Sequence, residues 1–133
     1  MSSSTHTFDA NLLELKELLR SLLLRWKSGE LDERAVHEEA DTLWAEKEWP
    51  EYPDDDSRSV TLEVLSQLSS LNAQWIITDD IAAILSFLDT PPGQEKQGWE
   101  RWQEYWDTLD WVKRRQSISN NPYYSRIGPH TED

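Results

Sequence analysis

The sequence predicts an all-α protein, a compact bundle of about five helices that opens with an antiparallel helical hairpin. Three observations predict it. Apolar residues recur at spacings of three and four through most of residues 8–116, the period of a helix with one buried face. Strong helix stops separate these stretches: Ser28-Gly29, Trp49-Pro50 and Thr90-Pro91-Pro92-Gly93. The one strand-like run, Gln74-Trp75-Ile76-Ile77, is short and has no second strand to pair with.

The elements follow in order. Residues 1–7 are polar and aperiodic and read as a frayed start. Asp9 is an N-cap candidate for the first helix, with Phe8 and Leu12 placed as a hydrophobic staple. Leu12, Leu15, Leu19, Leu22 and Trp26 follow a 3-4-3-4 spacing. Leu13, Leu18, Leu23 and Leu24 widen that stripe, which predicts contact with more than one neighbour. Gly29 suits the left-handed position after the helix end. Asp32 caps a second helix whose buried face is Ala35, Val36, Ala40, Leu43 and Trp44, and the short glycine link makes the pair a hairpin. Residues 49–57, with two prolines and three successive aspartates, form a loop. Asp56 or Ser57 caps the third helix, which runs through Val60, Val64, Leu65, Leu68 and Leu71. Residues 74–77 are a connector. A fourth helix spans about 79–89, capped by Thr78 or Asp79, with Ile81, Ile84, Leu85 and Leu88 inward. The fifth runs from about Gln94 to Gln116 on Trp99, Trp102, Trp106, Leu109 and Val112, broadened by Tyr105. Lys113-Arg114-Arg115 suit its C-terminal dipole. The expected organisation is one domain over 1–116 and an irregular tail over 117–133, with Tyr123, Tyr124 and Ile127 able to pin the tail to the body.

Composition narrows the chemistry. The chain has 133 residues and no cysteine, so a disulfide framework, a thiolate zinc site and a cysteine nucleophile are excluded. Three histidines, two of them near the chain ends, argue against a multi-histidine metal centre. The net charge of −13 has the wrong sign for direct nucleic-acid binding. No apolar run approaches the roughly 20 residues that span a bilayer. Met1–His6 shows no secretory signal, and the expected location is cytoplasmic. No Gly-rich phosphate loop or Gly-x-Ser-x-Gly elbow is present.

The charge is concentrated. Residues 30–56 hold twelve acids and two bases, which places ten of the thirteen net negative charges in 27 residues. Such a run is a solvated face or a docking surface for a basic protein, and its density favours the second more than charge runs usually do. The expected partner-binding residues are Glu38, Asp41, Glu48, Trp49, Glu51, Tyr52, Asp54, Asp55 and Asp56. Trp49 and Tyr52 would receive an arginine by stacking beside the aspartates. Trp26, Trp44, Trp75, Trp102 and Trp106 are expected in the core, whereas Trp49, Trp99 and Trp111 are expected nearer the surface. His37, with Glu33 and Asp41 four residues to either side, reads as a partly exposed histidine in an ion-pair ladder.

Two alternatives stand beside this reading. Glu14-x-x-Glu17 and Glu38-x-x-Asp41 are acid pairs on consecutive helices able to hold Mg²⁺. That arrangement is similar to the acidic signature of the all-α nucleotide pyrophosphohydrolases of the MazG type, and the resemblance implies Mg²⁺-dependent hydrolysis. The second alternative is an assembly or adaptor factor that docks through the Trp-rich fifth helix and its basic end. The segment from Leu12 to Trp44, a leucine-rich helix, a Ser-Gly-Glu turn and an acidic second helix, resembles the opening hairpin of small helical bacterial immunity proteins of the colicin D type. The resemblance implies an acidic surface that covers the basic active site of a toxin nuclease. No cofactor is required by that reading.

Overall fold

The computed structural model describes residues 2–46, 56–91 and 93–124, with side chains described over 13–45, 60–91 and 93–124. Every regular element among the described residues is helical. Seven α-helices, α1 (Ser2–Lys27), α2 (Glu33–Glu46), α3 (Asp56–Ser69), α4 (Leu71–Gln74), α5 (Ile81–Leu88), α6 (Glu95–Asp107) and α7 (Trp111–Ile118), are joined by a 3-10 turn at Thr78–Asp80 and by loops. They pack around one apolar cluster drawn from α1, α2, α3, α5 and α6, closed by Ile118 and Tyr124.

The expected count of about five rises to seven because two predicted helices break. The third ends at Ser69, where Ser70 N–H bonds the Gln67 carbonyl and Ser70 then starts the single turn α4. The fifth breaks at 108–110. The Thr108 hydroxyl donates to the Glu104 carbonyl at 2.8 Å, and Asp110 caps α7 by accepting from Lys113 N–H at 3.0 Å. At the first break it is the Ser69 hydroxyl that donates to the Ser66 carbonyl, at 2.9 Å, so both breaks carry a short polar side chain that competes with the helical ladder. Helix α1 starts at Ser2, well before Asp9, because no proline or glycine interrupts residues 2–12.

The ends of the first link follow helix-stop physics. Gly29 has φ +86°, Gly29 N–H donates to Trp26 O and Glu30 N–H to Arg25 O, the paired bonds of a Schellman closure. Asp32 caps α2 by accepting from Ala35 N–H at 2.9 Å.

Burial corrects the predicted faces. Leu15, Leu19, Leu22, Leu23 and Trp26 of α1 are buried, but Leu13, Leu18 and Leu24 are exposed, so the contacting stripe is narrower than expected. Trp44 continues the Val36–Ala40 spacing yet is 44% exposed. Val112 is 70% exposed because the break at 108–110 takes it out of phase with the α6 stripe. Conversely, Trp99 and Trp111 are partly buried against the core.

The connector 75–77 is buried and irregular, and side chains satisfy its backbone. Trp75 takes the left-handed conformation (φ 56°), unfavourable for a bulky residue. Its carbonyl accepts from Arg114 at 2.7 Å. The Ile76 carbonyl accepts from the Tyr124 hydroxyl at 2.6 Å, and Ile77 N–H donates to Asp80 at 2.9 Å. Burial pushes the Tyr124 hydroxyl's pKa well above its ordinary value. Helix α7 runs to Ile118, two residues into the stretch expected to be irregular, and Tyr123 and Tyr124 pack against the body. Ile127 lies outside the described residues.

Candidate functional site

The structure describes the first half of the predicted acidic surface. Glu48, Trp49, Glu51, Tyr52, Asp54 and Asp55 lie outside the described residues, as does the side chain of Asp56. Within the described part, three acids are engaged by the chain itself. Glu30 pairs with Arg25 at 2.7 Å, Asp32 caps α2, and Glu33 accepts from Asn121 at 2.8 Å. Glu38, Glu39 and Asp41 are exposed and make no ion pair among the described residues. Glu38 and Asp41, three apart, share one face of α2.

His37 does not join a charge ladder. Its Nε2–H donates to the Ser69 carbonyl at 3.0 Å and its Nδ1 accepts from the Tyr123 hydroxyl, which ties α2 to the end of α3 and to the C-terminal segment. Arg34 lies 4.7 Å over the Tyr123 ring. Burial raises the Tyr123 pKa, and Arg34 opposes that shift.

The structure shows a second feature that sequence reasoning missed. Where α3, α4, α6 and α7 meet, a cavity of about 180 Å³ is lined by Glu63 and by four of the eight tryptophans, Trp99, Trp102, Trp106 and Trp111. The amides of Gln67, Gln74 and Gln103 complete the lining among the described residues, none of which is a lysine or arginine. Glu63 is half-buried. Its Oε2 accepts from Trp102 Nε1–H and from Gln67 Nε2–H, each at 3.1 Å. No cation pairs with Glu63 among the described residues. The Trp106 indole N–H is buried and has no acceptor among the described residues.

Helix α6 builds this wall because Trp99, Trp102 and Trp106 recur at three and four, one face of the helix. Trp102 stacks on Phe87 of α5, with centroids 4.3 Å apart and planes at 8°. It meets Trp106 edge-on at 5.2 Å, and Trp106 lies 6.1 Å from Trp111. The Trp111 indole N–H donates to the Trp106 carbonyl at 3.1 Å, fixing α7 to the end of α6. Gly98 lets α6 approach the end of α5. A Cβ there would stand 2.5 Å from Thr90 Oγ1 and 2.7 Å from its Cγ2.

A buried polar node fixes the far side of α7. Asp80 is fully buried and Arg114 is 6% exposed. Arg114 grips the carboxylate with both terminal nitrogens, at 2.9 and 2.8 Å. The Tyr105 hydroxyl donates to Asp80 Oδ1 at 2.5 Å. Burial, reinforced by the hydrogen bond to Asp80, raises the Tyr105 pKa far above its ordinary value.

These placements bear on the two alternatives. Glu14, Glu17, Glu38 and Asp41 all lie among the described side chains, and no three His, Asp or Glu side chains there come together to share a metal ion. Glu17 is instead turned to Arg20 at 2.6 Å. A free basic patch at 113–115 is not present, since Arg114 is spent on Asp80 while Lys113 and Arg115 are exposed. Among the described residues no helix is long and apolar enough to cross a membrane. No protein family, curated protein or solved structure matches this chain.

Proposed function

We infer that the chain is a non-catalytic binding module for a basic protein, with the α1–α2 segment acting as an antiparallel hairpin that presents the acidic surface. One observation carries the reading: Glu38, Glu39 and Asp41 are exposed and make no ion pair among the described residues, while Arg20, Arg25 and Arg114 are committed to other carboxylates and Arg34 of α2 lies over the Tyr123 ring. Those arginines do not neutralise the three carboxylates, and an approaching cationic surface relieves their self-repulsion. The resemblance of residues 12–44 to immunity proteins of the colicin D type supports the most concrete version, an inhibitor that covers the basic active site of a nuclease in the cytoplasm. The net charge of −13 supports a protein partner rather than a nucleic acid.

The test is retention of host proteins on the immobilised chain at low salt. The expected result is a basic partner released as salt approaches physiological strength and not retained by the Glu38→Gln, Glu39→Gln, Asp41→Asn variant. Undiminished retention by that variant, or binding indifferent to salt, contradicts the reading.

A further inference from the structure

We propose that the tryptophan-lined cavity at Glu63 receives a single guanidinium or primary ammonium group. It is a separate site from the acidic face of α2, which contributes no residue to the lining.

Charge comes first. Glu63 is half-buried, and among the described residues no lysine or arginine lines the cavity and no cation reaches the carboxylate. Two neutral donors hold it, so its negative charge is positioned without being balanced. A charge partly withdrawn from water and left unbalanced favours an arriving cation. The same charge, within a chain of net −13, disfavours phosphates and carboxylates.

The walls point the same way. Indole faces carry the negative side of the aromatic quadrupole and attract cations, tryptophan most strongly. Here four indoles and one carboxylate line the same cavity. Hydrogen-bonding capacity then selects among cations. Both bonds that Glu63 accepts fall on Oε2, and Oε1 receives none among the described residues. A guanidinium or primary ammonium donates to it, whereas a quaternary ammonium has no donor. The amides of Gln67, Gln74 and Gln103 offer further acceptors to the same group.

Size sets the limit. A volume of about 180 Å³ lies below the roughly 300–1,000 Å³ of pockets that enclose drug-sized ligands. It admits one charged head group with its nearest methylenes. That group belongs to a free small molecule or to an arginine or lysine side chain of a partner.

The experiment titrates the full chain with methylguanidinium and with N-methylurea, its neutral counterpart of similar shape, followed by tryptophan fluorescence and calorimetry. Saturable binding of methylguanidinium, roughly tenfold or more tighter than N-methylurea, is the expected result. Glu63→Gln keeps one acceptor oxygen for Trp102 and Gln67, removes the charge and puts an amide NH2 in place of the free carboxylate oxygen, so it is expected to lose the preference for methylguanidinium over N-methylurea. Equal binding of the two by the unaltered chain, or no saturable binding of methylguanidinium, overturns the proposal, and that comparison needs no variant to fold. Free arginine and a blocked Gly-Arg-Gly peptide then separate the sources. Tighter binding of the peptide assigns the cavity to a partner's side chain, and tighter binding of free arginine assigns it to a small molecule.

Discussion

Asp80 and Glu63 stand on either side of the α6–α7 corner, and their surroundings differ in kind. Asp80 is fully buried and receives four hydrogen bonds, two from Arg114, one from Tyr105 and one from the Ile77 backbone. Glu63 is half-buried, receives two bonds from neutral groups, and borders a cavity. A carboxylate whose donors and counter-charge are all supplied internally holds a fold together and has nothing left to offer a ligand. A carboxylate anchored on one oxygen and open on the other keeps binding capacity in reserve. The contrast teaches that total charge is a poor guide to where this molecule acts; the state of satisfaction of each charged group is a better one.

The sharpest way to break the comparison is Asp80→Ala. It strands the Arg114 guanidinium in the interior and releases the left-handed Trp75 segment. The expected loss is about 3–5 kcal/mol in urea denaturation, enough to threaten folding of a chain this size. Next is Gly98→Ala, which drives a methyl group into Thr90 and forces α6 away from α5. A loss of about 1–3 kcal/mol is expected by the same method, together with weaker methylguanidinium binding because α6 carries three of the cavity's tryptophans.

Alkaline pH probes the satisfied node without a substitution. Tyr105 and Tyr124 ionise at higher pH when folded than their ordinary value of 10.0. Above that value the unfolded chain releases protons that the folded chain retains, so unfolding is favoured. Stability is expected to hold up to about pH 10 and to fall beyond it, and Tyr105→Phe should flatten the fall measured by thermal melting at stepped pH. The smallest effect is expected for Glu63→Gln, with a change in stability of less than about 1 kcal/mol by urea denaturation. A larger loss would place Glu63 with Asp80 as a structural residue.

The sequence legibly carried whatever depended on neighbours along the chain. The Gly29 helix stop, the Asp32 cap and the α1 face through Leu15, Leu19, Leu22 and Trp26 follow from local period and capping chemistry, and the structure contains them. The break at 108–110 was written in Asp110, but the unbroken aromatic spacing masked it. Long-range pairing was not legible. Glu63 and Gln67 are four apart on one helix, yet Trp102 lies 39 residues from Glu63, and Asp80 lies 34 residues from Arg114. Arg114 therefore read as part of a basic helix end, and Trp99 and Trp111 read as surface residues. Trp44 erred in the other direction, since its period placed it inward while the flank it occupies is left open.

The most direct test follows the tryptophan indole N–H resonances while methylguanidinium is added to the isotope-labelled chain. Saturating shifts are expected for Trp99, Trp102, Trp106 and Trp111, which line the cavity, with Trp26 and Trp44 unmoved. Shifts that leave the four cavity resonances untouched, or that move all the indoles alike without saturation, would contradict the assignment of Glu63 as a cation site.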